Sequence, residues 1–374
     1  MWRLVLTVSL LCWSSEGKVT CKNNMNDEVD WFIIYKAPNS VKSLYVDSES
    51  KTPKTFTDID DVKDVLANSL QQLFKPIRKM PNNFGFISYS DQPPGSNAAC
   101  TFGHSKGVVM MEKDKTGLWL LHSTPQFPFR RDQNRFWPKS GNKNAQTFIC
   151  VTFPYDQFKL IGQHLQDIRA FPFEHDVPED FHKELQDTVK WEPSPPSPPS
   201  PPPPVLKPLT SDGGQTFYSI AKNVVKGPKT GSKRGRDEEG DLYVSIAKSV
   251  KSDLNVQTWQ CNKDQVASYC DDTYKVYNVR SVKTGSTPGN WKCGNDHSKW
   301  CVTTDETKPW TCIADVNRAS TQFKRRGGAL CINDKEIMNI FKKIVEKREE
   351  CSGPGKTDVK MDVDSDDDAE LCSD

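Results

Sequence analysis

The chain has 374 residues, and its 50 Lys and Arg nearly balance its 49 Asp and Glu, which gives a formal net charge of +1. This length is enough for two domains or for one large duplicated domain. Because the charge is balanced, the chain is not a protein whose overall field attracts polyanions, and any anion site must be built locally.

The N-terminus has the pattern of a secretory signal. Arg3 is followed by an apolar run over 4–13 and then by small and polar residues up to Gly17. This pattern predicts a signal peptide over 1–17, cleaved near Gly17 or Lys18. A membrane anchor would need about twenty apolar residues, so we expect a secreted, extracellular protein with no membrane partner.

The cysteines point to an oxidising compartment. The sequence has 12 Cys, and loss of Cys12 with the signal would leave an odd number. In a secreted chain disulfides are the default, and Cys372 in the acidic tail is the expected free thiol. No C-x-x-C pair occurs, so we expect no structural metal site.

The first half predicts strands and helices in alternation. Runs of β-branched and aromatic residues predict strands over 29–36, 84–88, 100–111, 118–125 and 146–153. Apolar residues at helical spacing predict helices over 58–73 and 155–169. A turn at 114–117 would fold the strands on either side into a hairpin and bring His122 back towards His104.

A proline-rich run over 193–204 divides the chain. It favours a stiff polyproline II spacer, with a ligand for a recognition module as the alternative. We therefore predict an N-terminal half over 18–191, a linker over 192–210, a C-terminal half over 211–352 and an acidic disordered tail over 353–374.

The second half begins with two near-copies of one segment, 217–226 and 243–251, which both predict short helices. The basic cluster between them is taken as an exposed insertion. Strands are predicted over 256–259, 274–279 and 310–317, a turn over 325–328 and a helix over 334–347.

The tripeptide His-Ser-Lys occurs once in each half, at His104 to Lys106 and at His297 to Lys299. On a strand, residues two apart point to the same face, so each copy would aim an imidazole and an ammonium at one spot. A single His-x-Lys is usually a core histidine or a surface basic pair. Two copies facing each other would surround one small anion, and a phosphate diester is the obvious candidate.

Two imidazoles and two ammoniums suit a two-step displacement at phosphorus. One neutral histidine attacks while the other, protonated, gives its proton to the leaving oxygen, and the roles then reverse as water enters. The lysines, Lys106 and Lys299, balance charge on the phosphoryl oxygens. This chemistry requires no metal, and we expect no cofactor.

Two further residues are candidates for binding the phosphate or supporting the site. His122 lies 18 residues after His104, and Asn317 lies 20 residues after His297. His122 could equally be a satisfied core histidine, since its surroundings in LWLLHSTP are apolar. An uncharged Asn317 could bond a phosphate oxygen or orient a histidine.

Four stretches resemble the deoxyribonuclease II family, an acid endonuclease branch of the phospholipase D superfamily. They are GHSKGVVMMEKDKTGLWLLHSTPQFP, NDHSKWCV, WTCIADVNR and RRGGALC. The resemblance spans roughly 19–351, and it fails in the proline-rich segment, around 226–240 and in the acidic tail.

The resemblance implies an α+β, mixed α/β fold: a phospholipase-D-like pseudo-dimer of two halves, each a mixed sheet flanked by helices. It implies metal-independent cleavage of DNA at acid pH to 3′-phosphate and 5′-hydroxyl ends. By motif match, His104, Lys106, His297 and Lys299 are the catalytic residues, with the nucleophile left open. It further implies the disulfides Cys21–Cys150, Cys261–Cys351 and Cys312–Cys331.

The sequence also departs from the family. No Asn-x-Ser/Thr sequon occurs, although the family is usually glycosylated, so secretion is favoured over the lysosome as the alternative. The rival functions are a secreted DNA-binding or host-interaction protein with weak or no turnover, and another phosphodiesterase on the same scaffold. The oligomeric state is left open.

Overall fold

The computed structural model describes residues 18–190, 204–224, 240–259, 265–285 and 287–351. The expected signal peptide, most of the proline-rich linker, the basic insertion and the acidic tail with Cys372 lie outside these residues. None of the described helices is long and apolar enough to cross a membrane.

The described part of the first half contains ten strands and four helices: β1 Cys21–Lys22, β2 Glu28–Val29, β3 Trp31–Lys36, β4 Ser43–Asp47, β5 Lys54–Phe56, α1 Val65–Ser69, β6 Phe84–Ser90, β7 Lys106–Glu112, β8 Thr116–His122, α2 Ser140–Lys143, β9 Gln146–Pro154, α3 Phe158–Asp167, β10 Pro172–Asp176 and α4 Lys183–Val189. Eight of the strands form one sheet in the order β10-β6-β7-β8-β9-β3-β4-β5.

The described part of the second half contains ten strands and two helices: β11 Lys207–Thr210, β12 Thr216–Ala221, α5 Leu242–Val250, β13 Leu254–Gln257, β14 Tyr269–Cys270, β15 Lys275–Lys283, β16 Asn290–Lys292, β17 Trp300–Thr303, β18 Trp310–Ala314, β19 Gly328–Asn333, α6 Lys335–Ile344 and β20 Val345–Arg348. Its sheet runs β11-β12-β19-β18-β17-β13-β15-β14, and β16 and β20 also pair with β15.

The two sheets repeat one strand order. In the first half β7, β8, β9 and β3 are neighbours, and in the second half β17, β18, β19 and β12 are neighbours in the same sequence. The strand that follows His-Ser-Lys therefore has the same place in each sheet. The expected α+β fold of two related halves is confirmed.

One detail of that expectation is wrong. The second sheet is mixed, because β13 and β15 are parallel. The first sheet is antiparallel at each of its neighbouring pairs. Short connections join β3 to β4, β4 to β5 and β7 to β8, and such connections favour antiparallel pairing.

The main hydrophobic core lies between the two sheets. Trp119 and Ile149 of the first sheet belong to the same buried cluster as Trp300, Ile313 and Leu330 of the second. Separate clusters lie on the outer face of each sheet. Strands buried on both faces read as continuous apolar runs, which is why 118–121 shows no alternation.

The two near-copies fold differently, so one helix prediction is wrong. The second copy forms α5, whose N-cap Asp241 accepts hydrogen bonds from the backbone N–H groups of Tyr243 and Val244. The first copy forms β12, which pairs with β11 and β19 on its two sides. Tertiary pairing overrides a weak local preference, and the first copy lacks the acidic cap.

The helix predicted over 58–73 is also too long. Only Val65–Ser69 is helical, although Ile59, Leu66, Leu70 and Leu73 are buried as their spacing requires. Asp61 accepts a hydrogen bond from the Lys63 backbone N–H, and such local bonds compete with a helix.

Two of the three expected disulfides are confirmed, Cys21–Cys150 and Cys312–Cys331. The third is wrong, because Cys351 pairs with Cys270 and not with Cys261. Tyr269 and Cys270 form β14, which lies beside β15, and β20 leads Cys351 to the same strand. Cys301 is a buried free thiol.

The linker also ends earlier than predicted. Residues 207–210, assigned to it from composition, form β11 at the edge of the second sheet. Pro208 lies on this edge strand, where a residue without an N–H is tolerated.

Candidate active site

The two His-Ser-Lys tripeptides lie where a loop enters a central strand. Lys106 is the first residue of β7, and His297 and Lys299 come just before β17. The sequence predicted both histidines on strands, but the structure places them just before the strands. They sit at equivalent ends of the two related sheets.

Each histidine is held by the backbone of the opposite half. The His104 N–H donates to the Arg326 carbonyl at 2.8 Å, and the His297 N–H donates to the Ala145 carbonyl at 3.0 Å. Ala145 lies in the loop between β8 and β9, and Arg326 lies in the loop between β18 and β19. This reciprocal exchange brings the two tripeptides into one site.

Around His104 the site is organised by Asp91. One carboxylate oxygen lies 2.7 Å from His104 Nδ1, and the other accepts from Lys106 Nζ at 2.7 Å. Arg325 of the second half donates to Asp91 at 3.0 Å. Burial would raise the pKa of Asp91, but the charges of His104, Lys106 and Arg325 hold it well below the usual value. Asp91 is therefore an anion that fixes one imidazole and one ammonium.

His297 has different neighbours. Its ring lies on the indole of Trp259, with centroids 4.4 Å apart and planes tilted by 31°. The Asn144 side-chain amide is 3.5 Å from His297 Nδ1. Lys299 Nζ donates to the His297 carbonyl at 3.0 Å. His297 is partly exposed whereas His104 is buried, so the two half-sites are not equivalent.

A cleft of about 240 Å³ opens at this point. Both lysines of the tripeptides, Lys106 and Lys299, line it together with His297 and Trp259. The remaining wall is formed by Pro125 and by the polar residues Gln92, Ser123, Ser140, Lys143, Asn144 and Gln146. The cleft is thus rich in hydrogen-bond donors and cations, a composition that suits an anion.

A buried carboxyl group, Asp315, lies near both lysines. It accepts a hydrogen bond from the Gly328 N–H at 3.0 Å. Burial raises its pKa to about 8, while that N–H and the charges of Lys106 and Lys299 act in the opposite direction and Asp91 adds to the rise. Asp315 therefore carries a proton over the acidic range.

A second buried carboxyl group joins the halves beside His297. Asp296 accepts hydrogen bonds from the Tyr35 hydroxyl of the first half and from Trp291 Nε1 at 2.7 Å. It also accepts from the Ser298 N–H at 3.0 Å. Burial raises the pKa of Asp296 despite these donors. The contacts set the backbone on both sides of His297.

The two supporting residues proposed from sequence occupy different places. His122 packs between Phe127 and Phe148, and the register of β7 with β8 sets it beside Lys106. Burial and the charge of Lys106 hold the pKa of His122 well below its usual value. Asn317 accepts from the Trp259 N–H at 3.2 Å, so it holds the residue on which His297 stacks.

Sequence reasoning missed Asp91, Arg325, Trp259 and Asp315. A spacing signal existed for Asp315, which lies 18 residues after His297, as His122 lies 18 after His104. Asp91 and Trp259 come from other loops of the sheets, and no motif connects them to a tripeptide. Among the described residues, no cluster of three or more His, Cys, Asp or Glu could hold a metal ion.

Comparison with known proteins identifies related chains over nearly the whole length. The sequence model of deoxyribonuclease II matches residues 20–351. Plancitoxin-1 of Acanthaster planci is 33% identical over 366 residues, which cover 93% of this chain and 97% of that protein. Deoxyribonuclease-2-beta of Homo sapiens is 32% identical over 350 residues, which cover 89% of this chain and 92% of that protein.

Solved structures give a more distant likeness. A mutant of yeast tyrosyl-DNA phosphodiesterase aligns over 67% of this chain and 70% of its own, with a TM-score of 0.30 and 10% identity. A score at this level does not establish a common fold.

Proposed function

The chain belongs to the deoxyribonuclease II family, and we propose that it is an endodeoxyribonuclease that hydrolyses DNA phosphodiesters at acid pH without a metal ion. The products would be 3′-phosphate and 5′-hydroxyl ends. The observation that carries this proposal is the reciprocal exchange of backbone hydrogen bonds between the halves. Lys106, His297 and Lys299 line one cation-rich cleft, and His104 is buried beside Asp91, which also binds Lys106.

In the first step, His104 attacks phosphorus. Asp91 at Nδ1 fixes the ring and leaves Nε2 as the attacking atom, as a carboxylate partner does for other catalytic histidines. The new bond joins Nε2 to phosphorus, and the bond from phosphorus to the 5′-oxygen breaks. His297 gives its proton to that oxygen, which leaves as a hydroxyl group.

In the second step, His297, now neutral, takes a proton from water as the water attacks phosphorus. The bond between phosphorus and His104 breaks and the 3′-phosphate leaves. His297 suits this exchange because it is partly exposed at the cleft. Lys106 and Lys299 line the same cleft and would offset charge on the phosphoryl oxygens throughout.

Acid pH is favoured because the first step requires a protonated His297. Asp315 contributes as well, since a protonated carboxyl group at low pH does not compete with the phosphate for Lys106 and Lys299.

The test uses supercoiled plasmid at pH 5 and pH 7.5, each with and without EDTA. The wild-type protein should cut at pH 5 with EDTA present, and His297→Ala should lose about 10³-fold or more of this activity. His175→Ala, on an exposed position of β10, is the matched control and should cut normally. Cleavage that persists in His297→Ala, or that needs magnesium, would contradict the mechanism.

Two further measurements address the finer claims. The ends are identified by whether a 3′-phosphatase is needed before polymerase extension. A substrate with a chiral phosphorothioate should be hydrolysed with net retention at phosphorus, because two displacements each invert it. Inversion would exclude the phospho-histidine step but not the nuclease. Stable DNA binding without product would instead favour the binding-protein alternative.

We also propose that the protein is secreted. The pattern of 1–17 and the disulfides of the described part support this. Expression of the full chain in a secreting cell line should place the protein in the medium with a new N-terminus near Lys18. Retention inside lysosomes would favour the alternative.

A further inference from the structure

Each half contains a lysine whose side chain is almost completely buried and is surrounded by backbone carbonyl groups. Lys36 ends β3 and is 0% exposed, and Lys222 follows β12 and is 1% exposed. The strands β3 and β12 hold the same place in the two sheets. The two lysines are therefore counterparts.

Lys36 ties the loop between β8 and β9 to its own half. Its Nζ donates to the carbonyls of Ala37 at 2.5 Å, Ser40 at 3.0 Å and Asn142 at 3.2 Å. An ammonium has three N–H donors, and these three carbonyls use all of them. Asn142 lies three residues before Ala145, whose carbonyl holds the His297 N–H.

Lys222 makes the equivalent contacts in the second half. Its Nζ donates to the carbonyls of Asn223 at 3.0 Å, Gly240 at 2.9 Å and Phe323 at 3.2 Å. Phe323 lies in the loop between β18 and β19, three residues before Arg326, whose carbonyl holds the His104 N–H. Arg325, in the same loop, contacts both Asp91 and the His104 ring.

We propose that Lys36 and Lys222 are a pair of positioning residues, each of which fixes, through three carbonyls, the loop that places the histidine of the opposite half. Lys36 thereby positions His297, and Lys222 positions His104. This inference rests on the proposed function, since it assigns a role in the reaction to residues that never touch the substrate.

The proposal gives the pair a dependence on pH. Burial lowers the pKa of Lys36 to about 7, and the charge of Asp296 opposes this effect. Burial also lowers the pKa of Lys222 to about 7, with Asp241 opposing and Arg325 adding to it. A neutral amine has only two N–H donors, so deprotonation leaves one carbonyl of each trio without its donor and loosens the loop.

Hydrogen exchange on the wild-type protein tests this without any substitution. After correction for the intrinsic effect of pH, protection at the His297 and His104 amides should fall about tenfold between pH 6 and pH 8, whereas the amides of β8 should keep theirs. Equal protection at the two pH values would overturn the role of protonation.

Substitutions test the crossed assignment. Lys36→Met should reduce protection at His297 and leave His104 unchanged, and Lys222→Met should do the opposite. Each should lower kcat about 10- to 100-fold with little change in KM, because a small displacement of a catalytic group has this effect. Lys42→Met, at an exposed position beside the Lys36 loop, is the control and should change neither property.

The outcome is separable from the proposed function. A plain structural role would lower protection at both histidines together, or at neither, and would overturn the proposal. If a methionine variant fails to fold, the wild-type pH comparison still decides. A wild-type protein that cuts no DNA would refute the nuclease while the crossed pattern of protection remained measurable.

Discussion

Asp91 has the densest set of charge contacts at the site, and its removal should affect activity and stability separately. Asp91→Asn leaves Lys106 and Arg325 buried without their shared anion. We expect a loss of about 3 kcal/mol in the free energy of unfolding, since breaking a buried ion pair strands the partner charges. Activity should fall about 10²- to 10⁴-fold as the His104 ring loses its anionic acceptor.

The pH dependence of this stability difference has a definite sign. Because the folded pKa of Asp91 lies below the unfolded value, its contribution is complete above about pH 4 and is lost only as pH falls through the depressed value. Denaturant titrations should show that the stability difference between wild type and Asp91→Asn present at pH 7 is lost at a pH below about 4. Asp180→Asn, from an exposed ion pair with Lys113, should change the free energy by less than about 0.5 kcal/mol.

The contribution of Asp315 to the free energy of unfolding should change with pH in the opposite direction. Its pKa of about 8 lies above the unfolded value, so the folded protein holds a proton that the unfolded chain releases. Its contribution to stability is complete at low pH and declines as pH rises from about 4 towards 8. Asp315→Asn is a neutral mimic of the protonated acid. Between about pH 4 and pH 8 its free energy of unfolding should therefore decline less than that of the wild type, and the two declines should differ by more than ~1.4 kcal/mol. Parallel curves would show that Asp315 is ionised in the folded state.

Among single residues, the sequence predicted the four side chains that we propose to carry the chemistry, but not the residues that hold them in place. His104, Lys106, His297 and Lys299 are recognisable because one tripeptide occurs twice. Asp91 could not be found in this way, since its role depends on β6 and β7 being neighbours in the sheet. Arg325 belongs to the stretch RRGGALC that resembles the family, but its contact with Asp91 forms only when the two halves meet.

The strands contain both disulfide-bonded and free cysteines, and their contributions to stability can be compared directly. Cys21–Cys150 links β1 to β9 across a sequence separation of 129 residues. Replacing both by Ala should cost about 2–5 kcal/mol of stability, as expected for a long closed loop. Cys301→Ala should cost only about 1 kcal/mol, because it removes one small buried group and no cross-link.

The same comparison has a chemical readout. Burial raises the pKa of the Cys301 thiol, so the thiolate that reacts with alkylating reagents is scarce in the folded protein. Peptide mapping should find Cys301 unmodified after native treatment with iodoacetamide and modified after denaturation. Labelling in the native state would mean that β17 opens on the timescale of the reaction.

The near-copies 217–226 and 243–251 show that local sequence alone does not determine whether a segment forms a strand or a helix. Phe217 to Lys222 and Tyr243 to Lys248 share most of their residues, yet the first segment lies in and directly after a strand and the second lies in a helix. Asp241 supplies a helix cap for the second copy. In the first copy, the backbone N–H and C=O groups form hydrogen bonds with β11 and β19, whereas in a helix they would bond to each other. The pairing with β19 is set by residues more than a hundred positions away.

For the molecule as a whole, the family resemblance, supported by the duplicated tripeptide, implied two related halves meeting at one site. It gave no indication that the halves share a core, because that depends on which faces of the two sheets meet. Phe217 of β12 belongs to this shared core. Its ring centroid lies 6.4 Å from that of Trp31 and 6.3 Å from that of Phe153, and both of these residues are in the first half.

A shared core means that the halves should unfold together. Phe217→Ala removes an aromatic ring that is 0% exposed and should cost about 3–5 kcal/mol. Because that ring stabilises both sheets, calorimetry should show one transition moved to lower temperature, and exchange protection should fall in β8 and β18 alike. Phe129→Ala, at a partly exposed loop position, is the control. Two separate transitions, or a loss confined to the second half, would show that the sheets are independent and that the site between them can open without unfolding either one.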